Sequence, residues 1–279
     1  MSAGLRGSRG ISTSRLSVRP RRGRRGVAKL APIYVYGIVP AGAPVPDDLH
    51  GIGDAQVHVF AHGSIAAVTS RLPSSRPLGT AADLRAHARV IERIYQSCPV
   101  LPMRFGGALA DPHAVAAELL EPNSDMFAGA LERIDNHEQF TLRGRYRDGA
   151  ALREVLAEQP KVARMSAWLR ERDADTYRLE AIQLGTLVAR ALEQKQQADM
   201  AVMREILEPR VTAIAERVIA SPDIAVDAAF LVQRPDRSAF EQAAEELGRR
   251  WESRIRLRLV GPLPAYDFTQ TPEMEQWAC

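Results

Sequence analysis

Cysteine is almost missing from this chain: Cys98 and Cys279 are the two in 279 residues. Two cysteines make no disulfide framework, and such sparing use fits a reducing cytoplasm. Long apolar runs are missing too. No stretch approaches the roughly 18 residues of a membrane span, so no membrane partner is expected. The motifs that carry common chemistries are absent as well. There is no G-x-x-x-x-G-K-[ST], no G-x-S-x-G, no H-E-x-x-H and no C-x-x-C. Gly51-Ile52-Gly53 is the one G-x-G beyond the first thirty residues; it lacks the third glycine and sits in a loop, which argues against a dinucleotide site.

The isolated candidates for chemistry read as structural. His58 and His62 fall on a strand and a turn, where a spacing of four does not bring rings together. His87 and His113 have no cysteine or carboxylate partner at metal spacing. The acid pairs Asp47/Asp48, Asp173/Asp175 and Glu245/Glu246 read as helix-end or solvated charges, not as an acid–base pair. Cys98, before a proline, reads as a small core residue. Arg104 lies between Met103 and Phe105 in a strand-like segment. It reads either as an anion or partner contact or as an arginine paired with an acid of a neighbouring helix. No catalytic, metal or cofactor site is therefore expected.

What the chain has is an ordinary globular balance, 46% hydrophobic and 25% charged, with length for one large domain or two of ordinary size. The net charge of +3 conceals an asymmetry. Residues 1–30 hold nine Arg and Lys and no acid, whereas the remainder holds 28 basic and 34 acidic residues. This Arg-, Ser- and Gly-rich arm is too poor in apolar residues to fold, and it has no signal-peptide core. Its composition suits a transit peptide or a nucleic-acid-binding tail; the plainer alternatives are a misplaced start codon or a solvated extension with no specific role. No aromatic is interleaved for base stacking, so nucleic acid is a poor candidate partner.

From residue 32 the pattern becomes globular. Tyr34–Val39 reads as a strand, and Val57–Phe60 with Ile65–Thr69 as a hairpin around His62-Gly63. Thr80 and Asp83 form a capping-box pattern before a helix presenting Leu84, His87/Ala88, Ile91 and Ile94. Val100–Phe105 reads as a strand. Asp111 caps a short helix through Leu120, and a second helix runs from Met126 to Ile134. Phe140–Tyr146 alternates apolar residues with Arg143, Arg145 and Arg147. A helical region spans about 148–219, with stripes at Val162, Met165, Trp168/Leu169, Leu179, Ile182, Leu187/Val188 and Leu192. Ile224–Val232 is a strand. A helix then carries Phe240, Ala243/Ala244, Leu247 and Trp251. Ile255, Leu257 and Leu259 alternate with Arg256 and Arg258 in a last strand ended by Gly-Pro-x-Pro.

The second half thus reads as a small α+β sandwich with helices on one face of a sheet. If the strands at 140–147 and 254–260 share that sheet, Arg143, Arg145, Arg147, Arg256 and Arg258 share its uncovered face, a candidate partner-binding surface. The alternative is a solvated face whose charge is relieved by acids of a third strand.

Three segments stand out, each placing aromatics, Gly and Pro at strand ends: Ile33-Tyr34-Val35-Tyr36-Gly37-Ile38-Val39, Leu101-Pro102-Met103-Arg104-Phe105-Gly106 and Gly261-Pro262-Leu263-Pro264-Ala265-Tyr266-Asp267-Phe268. With Asp227-Ala228-Ala229-Phe230-Leu231-Val232, their order and spacing resemble the gas vesicle protein F/L (GvpL/GvpF) family over residues about 32 to 270. The resemblance implies a non-enzymatic accessory protein of gas vesicle assembly, without cofactor, contacting the hydrophobic shell protein and other accessory proteins. It places the protein at the gas vesicle, in the cytoplasm. It implies a fold of two α+β domains, the second ferredoxin-like with helical elaboration. The expected division is a disordered arm 1–30, an N-terminal domain 31–136, a C-terminal domain 137–268 and a tail 269–279 carrying Met274 and Trp277. Other classes remain open: a small-ligand or enzyme domain on a ferredoxin-like sheet, and nucleic-acid binding through the arm.

Overall fold

A strand buried on both faces needs apolar residues at nearly every position, and Ile33–Pro40 has them. In the computed structural model, which describes residues 31–73, 77–172 and 176–269, this segment is strand β1. Strand β2 (Val57–His62) pairs with β3 (Ile65–Arg71) as a hairpin, and β3 pairs with β1. Two short strands, β4 (Leu101–Pro102) and β5 (Ala108–Leu109), pair with the other side of β1. Helix α1 (Ala81–Tyr95) covers one face, where Tyr34, Tyr36 and Val39 meet Val90, Ile91 and Ile94. The opposite face packs Ile33, Val35 and Ile38 against Val115–Leu120, the π-helical continuation of α2 (Pro112–Ala114), and against α3 (Ser124–Ile134). The change of parity between Val35 and Ile38 follows from the bulge at Val35/Gly37.

Both halves of the α1 capping box are made. Asp83 N–H donates to Thr80 Oγ1, and Thr80 N–H donates to Asp83 Oδ2. The buried face is turned from the expected one: Ala86, His87, Val90, Ile91 and Ile94 are inside, whereas Leu84 is 49% exposed. The strand expected over Val100–Phe105 is only Leu101–Pro102; Met103 N–H still donates to the Tyr36 carbonyl (2.9 Å), and Arg104 stands exposed beyond it.

The chain crosses to a second sheet at β6 (His137–Tyr146). There follow α4 (Ala150–Glu158), α5 (Pro160–Arg170) and α6 (Arg178–Leu207). The sheet is completed by β7 (Ala213–Glu216), β8 (Ile224–Gln233) and, after α7 (Arg237–Trp251), β9 (Ile255–Leu263). The strand order is β7-β8-β6-β9, with every pair antiparallel. Phe140, Leu142, Val226, Phe230 and Ile255 face Met203 and Leu207 of α6 and Phe240, Leu247 and Trp251 of α7.

Two expectations for this half need correction. The helical region ends at Leu207, not near 219, and the edge strand β7 follows. Its sequence, Ala-Ile-Ala-Glu, is too short and too weakly apolar to announce itself. Leu179 and Ile182 are 74% and 58% exposed, because the small core shared by α4, α5 and α6 begins only at Leu184. The last strand ends inside the Gly-Pro-x-Pro segment, at Leu263 before Pro264, so that Pro262 lies within it. β9 is an edge strand, where a proline without N–H is tolerated.

The sheets are joined through packing. Leu231 of β8 and Ala265 lie in the core built by α3 and β1, with Ala213 and Phe268 against it. From Ala31 onward the described residues form one compact unit. No helix among them is long and apolar enough to cross a membrane. The arm 1–30, Asp173/Asp175 and the end of the tail with Met274 and Trp277 lie outside the described residues.

Candidate partner-binding face

The second sheet carries its helices on one side, so its other side decides what the molecule presents. One end of that side is closed. Gln139 Nε2 donates to Asp267 Oδ2 (2.6 Å), and Asp267 N–H donates back to Gln139 Oε1 (2.9 Å). This reciprocal pair fixes the terminal segment across β6 next to Leu231. The other end is open. There Arg143 and Arg145 of β6 lie directly opposite Arg258 and Arg256 of β9, all four exposed. Arg147 departs from the expected set. It lies just past β6, and its Nε donates to the Glu252 carbonyl at 2.6 Å.

The acids sit unevenly. Arg143 pairs with Asp227 of β8 (3.4 Å), which also holds Arg217 (3.2 Å), and Arg145 pairs with Asp223. Relief by an acid of the third strand therefore holds for Arg143, whereas Arg145 is relieved by Asp223 from the turn just before β8. The guanidinium groups of Arg256 and Arg258, on the outermost strand, have no hydrogen-bond or ion-pair partner among the described residues. The sequence signalled the Asp227 contact, since Asp227 falls on the outward parity of an otherwise apolar strand. Nothing local signalled Arg217 or Asp223.

Beside this face lies a cleft of about 770 Å³, lined by Arg145, Arg147, Arg153, Arg256 and Asp223, among others. Arg153 Nη1 donates to the Asp148 carbonyl (2.6 Å). Arg147 and Arg153 are thus aimed by backbone oxygens, which orient a guanidinium without neutralising it. Behind the cleft, Arg254 grips Glu154 through Nε (2.9 Å) and Asp199 through Nη1 (2.7 Å), and Tyr146 O–H donates to Asp199 Oδ2 (2.6 Å). Lys195 Nζ reaches Glu154 at 2.8 Å. Burial works against the Arg254 charge, yet the two carboxylates outweigh it and hold its pKa above the usual value.

The family-signature residues build the first sheet and the clamp. Tyr34 and Tyr36 are fully buried. Tyr34 Oη accepts from Gly106 N–H (3.2 Å) and lies 2.9 Å from His87 Nδ1. Tyr36 Oη accepts from Ile52 N–H (2.8 Å) and meets Ser70 Oγ (2.7 Å). Phe105 packs edge-on to His87. Burial depresses the His87 pKa to about 4 and raises that of Tyr34 to about 12. Gly37 lets Leu101 and Pro102 approach: a Cβ there would stand 2.8 Å from the Leu101 carbonyl oxygen. At Gly261 a Cβ would stand 2.5 Å from the Phe140 ring. Pro262 continues β9, Pro264 is buried, Tyr266 packs toward α1 and Phe268 toward α3. Cys98 is buried, its thiol pushed up to about 11 by desolvation, which makes a thiolate nucleophile unfavourable.

This arrangement defines a class, a two-sheet α+β chain with helices against both sheets, and solved proteins share it. The chain superposes on the gas vesicle protein GvpF of Anabaena sp. PCC7120 with a TM-score of 0.76 at 21% identity, covering 86% of this chain and 99% of that one. GvpF of Microcystis aeruginosa gives 0.72 at 22% identity, covering 86% and 100%. Gas vesicle protein F of Streptomyces sp. (strain CB03234) is 31% identical over 241 residues, 85% of this chain and 99% of that protein. Gas vesicle protein L of the same organism is 29% identical over 266 residues, covering 86% and 93%. The model of the gas vesicle synthesis protein GvpL/GvpF family matches residues 32–270, and the chain belongs to that family.

Proposed function

We propose that this protein is an accessory factor of gas vesicle formation that binds the hydrophobic shell protein and other vesicle components, at the vesicle and in the cytoplasm. It acts by contact and without turnover; its relatives carry gas vesicle names. The second half is a ferredoxin-like sandwich elaborated by α4 and α5, a reading supported by its strand order β7-β8-β6-β9.

The observation that carries the reading is the open end of the second sheet, where Arg143, Arg145, Arg256 and Arg258 stand exposed while the helices occupy the opposite side. An apolar shell subunit must be kept from aggregating before it joins a wall. A chaperoning partner does so by covering apolar surface or by offering a sheet edge. The test is co-purification of the tagged full chain with vesicle components from a vesicle-forming host. Wild type captures shell protein, and R143S/R256S/R258S captures at least about tenfold less. Absence of every vesicle component from the wild-type capture, together with normal vesicles in a deletion strain, overturns the proposal.

A further inference from the structure

We infer that the free edge of β9 accepts an extended acidic segment of a protein partner, added as a further strand whose alternate carboxylates meet Arg256 and Arg258. The inference rests on reading the arginine face as a partner surface, and adds the partner's conformation and charge pattern. Three observations carry it.

The first is the unpaired edge. β9 ends the sheet order and bonds only to β6, so its outer backbone groups have no strand partner among the described residues. Such a row of free N–H and C=O groups is a template for another strand. Pro262 lacks an N–H and limits the template to the residues before it.

The second is charge. Arg143 faces Arg258 and Arg145 faces Arg256 across one ladder, and like charges directly opposite destabilise a sheet. Asp227 and Asp223 compensate the inner arginine of each pair, leaving the outer one uncompensated. An arriving carboxylate removes that repulsion and takes a bidentate guanidinium contact. A second copy of this chain, pairing edge to edge, would bring more arginines and be repelled.

The third is spacing. Arg256 and Arg258 are alternate residues of a strand, so both point to the same side, roughly 7 Å apart. An added strand with acids at alternate positions matches that repeat residue for residue along the edge. At the start of β9 the match continues into the cleft, where Arg147 and Arg153 add positive charge without a carboxylate partner on either guanidinium among the described residues.

The experiment uses the full chain and a fluorescein-labelled Glu-Thr repeat peptide, followed by anisotropy. The peptide binds, weakens as salt rises, and loses at least about tenfold in affinity for R256S/R258S. Circular dichroism and the melting temperature show that this variant is folded. The same peptide N-methylated at alternate amides, so that one edge cannot donate, also loses at least about tenfold. A block peptide of the same composition, glutamates first and threonines after, binds more weakly than the repeat. Equal binding of the N-methylated or block peptide overturns strand addition. Tighter binding of oligo-dT than of the repeat peptide overturns the acidic protein segment in favour of nucleic acid. Failure of this inference and of the function above are separable. If vesicle components are lost from the arginine variants while N-methylation has no effect, the face stands and strand addition falls. If capture is unchanged while the peptide behaves as expected, strand addition stands and the face's role in vesicle assembly falls.

Discussion

His87 shows how a single buried side chain ties local chemistry to stability. Its Nδ1 lies against the Tyr34 hydroxyl, its ring is boxed by Tyr34, Tyr36 and Phe105, and burial depresses its pKa from 6.5 to about 4. The folded protein therefore refuses a proton that the unfolded chain accepts between those values. With a depressed base the sign is fixed. Stability is fully present above about pH 6.5 and declines as the pH falls toward 4, by up to about 3 kcal/mol. His87→Gln keeps a polar side chain at this position and removes the titration. Urea unfolding midpoints measured across this range should fall more steeply for wild type than for H87Q; parallel profiles would exclude His87 as the cause. The sequence placed His87 on the apolar face of α1 but could not reveal this environment. Its neighbours come from β1 and from the segment after β4, brought together only by tertiary packing. Arg104 illustrates the opposite case, because the Val100–Phe105 segment read as a strand whereas the strand stops two residues before Arg104.

At the scale of elements, the pattern was readable wherever one face meets one core. α7 is the clearest case: Phe240, Ala243, Ala244, Leu247 and Trp251 were expected inside and are. α6 was harder, because one 30-residue helix serves two environments. Its C-terminal half packs Met203 and Leu207 against the sheet, while its N-terminal half meets only α4 and α5. A hydrophobic stripe alone cannot tell which turns find a neighbour, so Leu179 and Ile182 were misplaced. What fixes the helical excursion to the sheet is ionic. Glu154 of α4, Asp199 of α6, Tyr146 of β6 and Arg254 before β9 form one connected cluster. Removing one member leaves partly buried groups unpaired. Asp199→Ala should cost about 3 kcal/mol. Hydrogen exchange should then accelerate first in α4 and the first half of α6, with β8 and α7 still protected. Uniform acceleration throughout the second half would show that the cluster does not hold the excursion separately.

For the whole molecule the question is whether two sheets make two folding units. Ile134 to His137 is where the chain leaves the first sheet for the second, and we propose the division 31–136 and 137–268 as the organisation of the fold. Residues of the second half complete the core of the first. Leu231 belongs to β8, yet it is 5% exposed within the core of α3 and β1, and Ala265 is equally buried there. The Gln139–Asp267 pair and the Arg217–Asp267 ion pair (2.8 Å) hold the terminal segment that carries Ala265 and Phe268. That coupling was invisible in the sequence, because Leu231 sits in a strand apolar on both parities and gives no sign that its two faces serve different cores. Leu231→Ala removes buried side-chain volume from the joint and should cost about 3 kcal/mol. Because each half uses the joint to complete its core, calorimetry should show one cooperative transition for wild type and one, at lower temperature, for L231A. Two transitions in wild type, only one displaced by the substitution, would mean that the halves fold independently and that Leu231 merely docks them. A single displaced transition instead makes the clamp after Pro264 part of the fold, and explains why residues so near the end of the described chain carry the same aromatic and proline signature as its first strand.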